Sequence, residues 1–425
     1  MADNGVIGTA AIVGQGYVGL PVAMRAVEVG VHVVGYDLDA AKIDALRDGR
    51  TYIDDVTDDD IAAALASGRY VPSSDAADLA GFDVAVITVP TPLRNGAPDL
   101  SFVESAARTV GAHVRSGCTV ILESTTYPGT TEEIIAPLLH EESGLTAGVD
   151  FHLGYSPERI DPGNRTWTFQ RTPKVVSGID AASARAVQAF YDLLVDETVL
   201  VRGTREAEMT KLLENTFRHV NIALVNELTI QAAALGVDIW DVVRAASTKP
   251  FGFMPFQPGP GVGGHCLPID PSYLSWKIEH EVGTPSRFVD TANDVNQQMP
   301  RHVVDRIFRG LNERGKPAKG SRILVLGVAY KQNSSDARET PATLVIRGLL
   351  GLGADVVAHD THVEEFELDK DVARIATLDV AELSAADVVV ILTAHDDVDY
   401  DLVVANAGYV FDARHVVSGD TVEHL

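Results

Sequence analysis

Residues 9–21 read TAAIVGQGYVGLP: a short apolar run, then Gly14, Gly16 and Gly19 in G-x-G-x-x-G spacing, then a helix-forming segment. In a strand-to-helix turn the first glycine permits a tight bend, the second lets a pyrophosphate approach the backbone, and the third lets the helix pack closely. The helix N-terminus favours the negative charge. The spacing gains force from Asp37, which ends the next apolar run, VHVVGYD, where a carboxylate accepts hydrogen bonds from an adenosine ribose diol. An acidic residue there repels a 2′-phosphate, so the fingerprint points to NAD rather than NADP. A glycine turn used only for packing is the competing reading.

Outward from this turn, apolar runs alternate with amphipathic stretches: FDVAVITVP, CTVILEST, segments near Phe151–Tyr155 and Lys174–Ser177, a helix over 181–194, and ETVLV. That rhythm predicts a parallel sheet covered by helices. From Thr204 the pattern becomes helical, with Met209, Leu212, Leu213, Phe217, Val220 and Leu224 recurring at helical spacing and Gly236 as the stop. Thr204 is read as the N-cap, with Glu206 and Glu208 at the positive end of the dipole. One helix of about 30 residues, roughly 45 Å long, exceeds the needs of a small core, so part of it is expected to face a second subunit. A Pro/Gly-rich loop, PFGFMPFQPGPGVGGHC, follows, then more helix. Pro300 is read as starting a helix that runs to Gly315. After the polar linker ERGKPAKGSR a second α/β unit contains SRILVLGVAY, ADVVAHD, AADVVVILTAHD and YVFDAR. The expected fold class is α/β: two Rossmann-like, doubly wound parallel-sheet domains joined by a central helical domain with one long helix. The expected domains are 1–203, 204–315 and 316–425.

Composition bounds the function. The chain has 425 residues, 46% of them apolar, enough for about three domains. Its formal charge of −26 repels phosphate backbones, which argues against nucleic acid. No apolar run reaches the roughly 18 residues of a membrane span, and no basic segment precedes an N-terminal apolar stretch, so a cytoplasmic protein with no membrane partner is expected. The only cysteines are Cys118 and Cys266, without metal-ligand spacing; no metal is expected. Cys118, beside a β-branched run, reads as a small buried hydrophobe.

Cys266 lies in GVGGHCLPIDP, where glycines let a ligand approach and Asp270 follows four residues later. A thiolate there is a nucleophile toward a carbonyl carbon; a buried structural cysteine is the alternative. Lys211 and Asn215 stand at i and i+4 on the long helix and share one face, suited to stabilising an oxyanion or to a solvated polar surface. Glu158, in YSPERIDPGN, is either a general base or a surface carboxylate. Lys331, Arg338 and Arg414 fall near strand ends of the last unit, where they suit an anionic ligand such as a diphosphate or ordinary salt bridges. GVAY, at the equivalent turn there, lacks the later fingerprint glycines, so a second NAD site is not expected.

Seven motifs in order, GQGYVGLP, VPTPL, ESTTYPGT, YSPERIDPGN, EMTKLLENTFRHVN, GVGGHCLPIDP and YKQNSSDARETPA, span essentially the whole chain. Together they resemble the UDP-glucose/GDP-mannose dehydrogenase family. The resemblance implies an NAD-dependent, four-electron oxidation of the C6 alcohol of a nucleotide sugar to a carboxylate. It implies Cys266 as the nucleophile that carries a thiohemiacetal and then a thioester, and Lys211 and Asn215 as oxyanion stabilisers. Asp270 would place water or protons, Glu158 would be the base for thioester hydrolysis, and Thr125 would contact water and the nicotinamide region. Cofactor contacts implied in the same way are Gly14, Gln15, Gly16, Tyr17, Val18, Gly19, Asp37, Lys42, Thr91, Thr125 and Arg338. Implied substrate contacts are Arg159, Ile160, Lys211, Asn215, Arg218, Gly263, Tyr330, Lys331 and Arg414. A homodimer or higher homo-oligomer built on the central helix is also implied. The GHC form, with FGFMPFQPGPG before it and Asp161-Pro162 after the SPE motif, looks more like the branch that oxidises UDP-N-acetylhexosamines; related enzymes of that branch accept UDP-glucose or a TDP-sugar. A simple β-hydroxyacid dehydrogenase shares the first domain, a long helix and a Lys-x-x-x-Asn pair, but needs neither the 259–270 block nor residues 318–425. A non-catalytic NAD sensor is the reading from another class.

Overall fold

The computed structural model describes residues 7–94, 96–161, 164, 166–264, 267–368 and 370–425. The chain divides into two units, residues 1–214 and 215–425.

The first unit runs β1 (Thr9–Val13), α1 (Gly19–Glu28), β2 (His32–Tyr36), α2 (Ala40–Arg47), α3 (Asp58–Ala66), β3 (Tyr70–Ser73) and β4 (Val84–Ile87). A two-residue hairpin, β5 (Leu93–Arg94) and β6 (Ala97–Pro98), precedes α4 (Ser101–Gly111) and β7 (Thr119–Leu122). Then come α5 (Ala136–Ser143), β8 (His152–Tyr155), β9 (Lys174–Gly178), α6 (Ala181–Leu194), β10 (Thr198–Leu200) and the start of α7 (Thr204–Leu235). Eight strands form one sheet in the order β10-β9-β8-β7-β4-β1-β2-β3. Both faces are buried, as crossover helices require: Ala10 and Ile12 of β1 enter one apolar cluster, Ala11 and Val13 the other. Cys118 is buried in the second cluster, where burial pushes its thiol up. Asp180 caps α6 by accepting from the Ser183 N–H at 2.7 Å.

One part of the sheet departs from the expected direction. β9 pairs antiparallel with β8, while β10 continues parallel to β9. Among the described residues no helix lies between Tyr155 and Lys174, and without a crossover a strand can only return alongside in the opposite sense. The strand β3, in RYVPS, was not expected from the sequence; its proline makes a weak strand signal, tolerated at the sheet edge where β3 lies.

The second unit holds the rest of α7, then α8 (Ile239–Ala246), α9 (Asp270–Val282), α10 (Arg287–Glu313) and a Rossmann-like half. That half comprises β11 (Arg322–Leu326), α11 (Pro341–Gly351), β12 (Asp355–His359), β13 (Ala373–Arg374), α12 (Val380–Ala385), β14 (Val388–Ile391), α13 (Tyr400–Asn406), β15 (Val410–Asp412) and β16 (Val422–His424). Its six strands are parallel in the order β13-β12-β11-β14-β15-β16. Ile323 and Val325 face one core and Leu324 and Leu326 the other. Pro300 does not start a helix: α10 runs through it. Its missing N–H frees the Asn296 carbonyl, and burial of Met299, Val303 and Ile307 on the surrounding turns outweighs that lost bond. α7 has 32 residues, about 48 Å, and ends before Gly236 in the left-handed region (φ 68°).

Candidate functional site

The glycine turn after β1 is built as its sequence requires. Gly14 has φ 97°, its N–H donates to the Tyr36 carbonyl at 2.8 Å, and a Cβ on it would lie 2.8 Å from the Thr88 carbonyl oxygen. Thr88 Oγ1 pins the turn by donating to the carbonyls of Val13 and Gly14 at 2.9 and 2.8 Å. A Cβ on Gly19 would sit 1.8 Å from the Gly14 oxygen, so that glycine serves helix packing. A Cβ on Gly16 would meet nothing within 4 Å. The protein leaves open space there, which fits the approach of a pyrophosphate and is not needed by the fold. Tyr17 and Val18, half-buried, lead into α1.

Asp37 follows β2. One carboxylate oxygen accepts from the Gln15 N–H at 2.8 Å and the other from the Asp39 N–H at 3.0 Å, with Lys42 Nζ at 3.8 Å. Gln15 is fully buried and accepts from Tyr70 Oη at 2.7 Å. The acid is thus held against the glycine turn. Thr91 and Thr125, both half-buried, follow β4 and β7.

The segment after β8 places Glu158 against the first turns of α7. Glu158 is 7% exposed. Lys211 Nζ donates to its backbone carbonyl at 2.7 Å and lies 3.2 Å from a carboxylate oxygen, while the Ile160 N–H donates to the other oxygen. Burial pushes the Glu158 carboxyl up; the Lys211 and Lys174 ammoniums push it down, and Glu123 adds to the rise. Arg159 turns the other way, donating to the Pro173 carbonyl at 2.8 Å and pairing with Glu214. Glu158, Ile160 and Lys211 are therefore brought together in the first unit, and Arg159 is directed to Pro173 and Glu214.

In the second unit Asn215 Nδ2 donates to an Asp270 carboxylate oxygen at 2.6 Å, both side chains being buried. Asp270 opens α9. The glycine loop packs on the turn after β11: a Cβ on Gly263 would lie 2.7 Å from Pro341 Cδ, 2.8 Å from the Glu339 oxygen and 3.1 Å from Tyr330 Cβ. Gly259 N donates to Asn226 Oδ1 at 3.0 Å, and a Cβ on Gly259 would lie 2.9 Å from an Arg414 Nη. Gly263 and Tyr330 are thus brought together, Arg414 lies against Gly259 of the same loop, and Lys331 follows Tyr330 in the chain. Burial pushes the Arg414 guanidinium down to about 10, against Asp412, which leaves it charged at neutral pH. Arg338 donates through Nε and Nη2 to Asp336 at 2.9 and 2.8 Å, and Arg218 is exposed on α7. Cys266, with His265, lies outside the described residues.

Three buried charged residues near these groups escaped the sequence reading. Glu123 is fully buried, paired with Lys174 and accepting from Tyr191 Oη at 2.6 Å. Glu208, read as a dipole partner, is buried and accepts from the Gly129 N–H at 2.7 Å and from the Thr131 N–H and Oγ1 at 2.9 and 2.7 Å. The available signal was a charge adjoining an apolar strand: Glu123 in VILEST and Lys174 in PKVVSG. Thr204, read as a cap, gives its hydroxyl to Glu132 at 2.8 Å.

Comparison with known proteins bears on the whole chain. Models of the UDP-glucose/GDP-mannose dehydrogenase family match over residues 9–195 (NAD binding domain), 205–298 (central domain) and 324–419 (UDP binding domain). Protein CapL of Staphylococcus aureus is 36% identical over 417 residues, 96% of each chain. UDP-N-acetyl-D-glucosamine 6-dehydrogenase of Pseudomonas aeruginosa is 37% identical, over 83% of this chain and 82% of that one. The solved UDP-D-ManNAc dehydrogenase of Pyrococcus horikoshii superposes with a TM-score of 0.89 at 32% identity, covering 98% of both chains. With an NAD-binding turn in its first unit and the family's three domains matched in order, the chain belongs to the UDP-glucose/GDP-mannose dehydrogenase family.

Proposed function

We propose that the protein oxidises the C6 alcohol of a UDP-N-acetylhexosamine to the carboxylate, four electrons in all, through a covalent intermediate on Cys266. The observation that carries this reading is the buried Glu158–Lys211 pair, an acid–base couple held at 3.2 Å beside the NAD-binding sheet. The sugar class is supported by the names of the similar P. aeruginosa and P. horikoshii enzymes and by the GHC form of the cysteine loop.

Bound NAD supplies the hydride acceptor for both oxidations. Gly14, Gln15, Gly16, Tyr17, Val18 and Gly19 hold its pyrophosphate side, Asp37 and Lys42 its ribose, and Thr91, Thr125 and Arg338 its remainder. Arg159, Ile160, Arg218, Gly263, Tyr330, Lys331 and Arg414 bind the nucleotide sugar. The Cys266 thiolate forms a C–S bond to the C6 aldehyde, and Lys211 and Asn215 stabilise the resulting oxyanion. The bond from Asn215 to Asp270 uses one amide hydrogen and leaves the second for that oxygen. After the second oxidation Glu158 takes a proton from water as it attacks the thioester; the C–S bond breaks and the sulfur leaves as thiolate.

The exposed apolar stripe of α7 supports a homodimer formed along that helix, and the active chain is assigned to the cytoplasm. The decisive assay counts NADH per sugar consumed with UDP-N-acetylglucosamine, UDP-N-acetylmannosamine, UDP-glucose, TDP-glucose and GDP-mannose. Two NADH per sugar with a UDP-N-acetylhexosamine is the expected result. One NADH per sugar refutes the four-electron route, and preference for another sugar refutes the substrate class. Cys266→Ser is expected to bind NAD and sugar but form no acid; full acid production by that variant eliminates the thioester.

A further inference from the structure

Two consecutive carbonyls at the turn carrying Glu158 are each held by a buried ammonium group. Lys211, from α7, takes the Glu158 carbonyl at 2.7 Å; Lys174, the first residue of β9, takes the Pro157 carbonyl at 3.0 Å. Lys174 is 3% exposed and pairs with Glu123 just after β7. The second Glu123 oxygen accepts from Tyr191 of α6 at 2.6 Å, and the Lys174 ammonium lies 5.0 Å from the centre of the Tyr191 ring. The Pro157 carbonyl is thus held by Lys174, which Glu123 and Tyr191 in turn anchor, and the Glu158 carbonyl by Lys211.

Stability alone is a poor reason for this arrangement. Burying an ion pair costs desolvation that an apolar set of similar volume avoids. The network's product is geometric: it fixes the peptide immediately before Glu158. Lys174 itself has its charge committed to Glu123 and the Pro157 oxygen, so it acts through its neighbour.

We propose that Lys174, anchored by Glu123 and Tyr191, is the positioning residue for Glu158, fixing the peptide before it so that its carboxylate is held against Lys211. The proposal rests on Glu158 being the base of the reaction above. The charged groups around Glu158 in this unit are Lys211 from α7, Lys174 from β9 and Glu123 just after β7, with the Arg159–Glu214 pair beside it. Burial raises the Glu158 carboxyl and both lysines lower it. Removing the Lys174 charge therefore raises it further, and the acid limb of the rate profile moves to higher pH.

The test compares Lys174→Met, Lys174→Arg, Tyr191→Phe and Glu158→Gln in the full chain, by acid formation against pH. Lys174→Met is expected to lower kcat about tenfold and move the acid limb up by about one pH unit, with KM for NAD and sugar little changed. Lys174→Arg restores most of both, and Tyr191→Phe, which keeps the ion pair, moves the limb by less in the same direction. Glu158→Gln loses acid formation at every pH. An unmoved limb in Lys174→Met, with Glu158→Gln inactive, overturns the positioning role alone. Full activity in Glu158→Gln overturns the base assignment and the proposal with it. If Lys174→Met does not fold, Tyr191→Phe decides: an unmoved limb there overturns the proposal.

Discussion

Gly16 and Gly19 stand three residues apart and answer to different constraints. An alanine at Gly19 collides with the Gly14 carbonyl at 1.8 Å, whereas one at Gly16 touches no protein atom within 4 Å. Gly19→Ala is therefore expected to cost about 3 kcal/mol or more of stability, through backbone that must move. Gly16→Ala is expected to melt like the parent but bind NAD at least about tenfold more weakly, since its methyl enters space a pyrophosphate uses. Thermal melts with and without NAD separate the two. Glu208 supplies a second prediction at this scale. Burial pushes its carboxyl from 4.5 up to about 7. The fold then binds a proton that the unfolded chain releases, so the contribution is fully present below pH 4.5 and lost as pH rises through about 7. The span is about 3 kcal/mol, and Glu208→Gln should flatten the stability profile across it. Melting both proteins between pH 5 and 8 checks this; parallel profiles would contradict it. The fingerprint glycines were legible because their constraint is local. Glu208 was misread because its partners lie 77 and 79 residues earlier in the chain, and no spacing rule reaches that far.

The helix α7 shows how an element can be located from sequence while the burial of its faces is left open. Its limits followed from the periodicity and from Gly236. The apolar residues do not mark one core face: Leu212 is fully buried, whereas Leu213, Phe217, Leu224 and Leu228 are 60%, 45%, 53% and 42% exposed. The polar residues Glu208, Lys211, Asn215, His219, Asn226 and Thr229 are buried, beside Ala207, Leu212, Ala223 and Val225. At 100° per residue the two sets lie on opposite faces. The reading of Lys211 and Asn215 as sharing one face holds, and that face is buried rather than solvated. Replacing Leu224 and Leu228 by glutamate is accordingly expected to leave the far-UV spectrum unchanged while reducing the sedimenting mass to that of one chain; an unchanged mass would remove α7 as the dimer face. Pro300 was misread for a related reason: a proline marks a helix start only where tertiary burial does not carry the helix through it.

At the scale of the molecule, each Rossmann-like half contains the same turn. Gly327 N donates to the His359 carbonyl at 2.9 Å, and its φ of 81° is positive like the 97° of Gly14. A Cβ on it would lie 2.1 Å from the Thr393 oxygen, the counterpart of Thr88. Asp360 accepts from the N–H groups of Val328 and Ala329 at 2.7 and 3.1 Å, as Asp37 does from Gln15. The halves differ in what covers the acid: His395 Nε2 lies 3.0 Å from Asp360, with both side chains fully buried. No carboxylate is left there for a ribose diol. Titration calorimetry is expected to give one NAD per chain, and Asp37→Ala to weaken that site by about 1–3 kcal/mol; two NAD per chain would refute the assignment. The sequence showed that the second half lacks the later glycines, but not that a histidine closes its acid, because His395 and Asp360 are 35 residues apart.

The exposed apolar face of α7 has a practical consequence. With Leu213, Phe217, Leu224 and Leu228 exposed along one side, the helix presents a face that a solitary chain leaves in water. If the proposed dimer forms along this helix, dilution is expected to lower activity by separating its chains. Specific activity should fall as the protein is diluted toward nanomolar concentration, and recover on standing at higher concentration. Rates measured at a single low enzyme concentration would understate the catalyst.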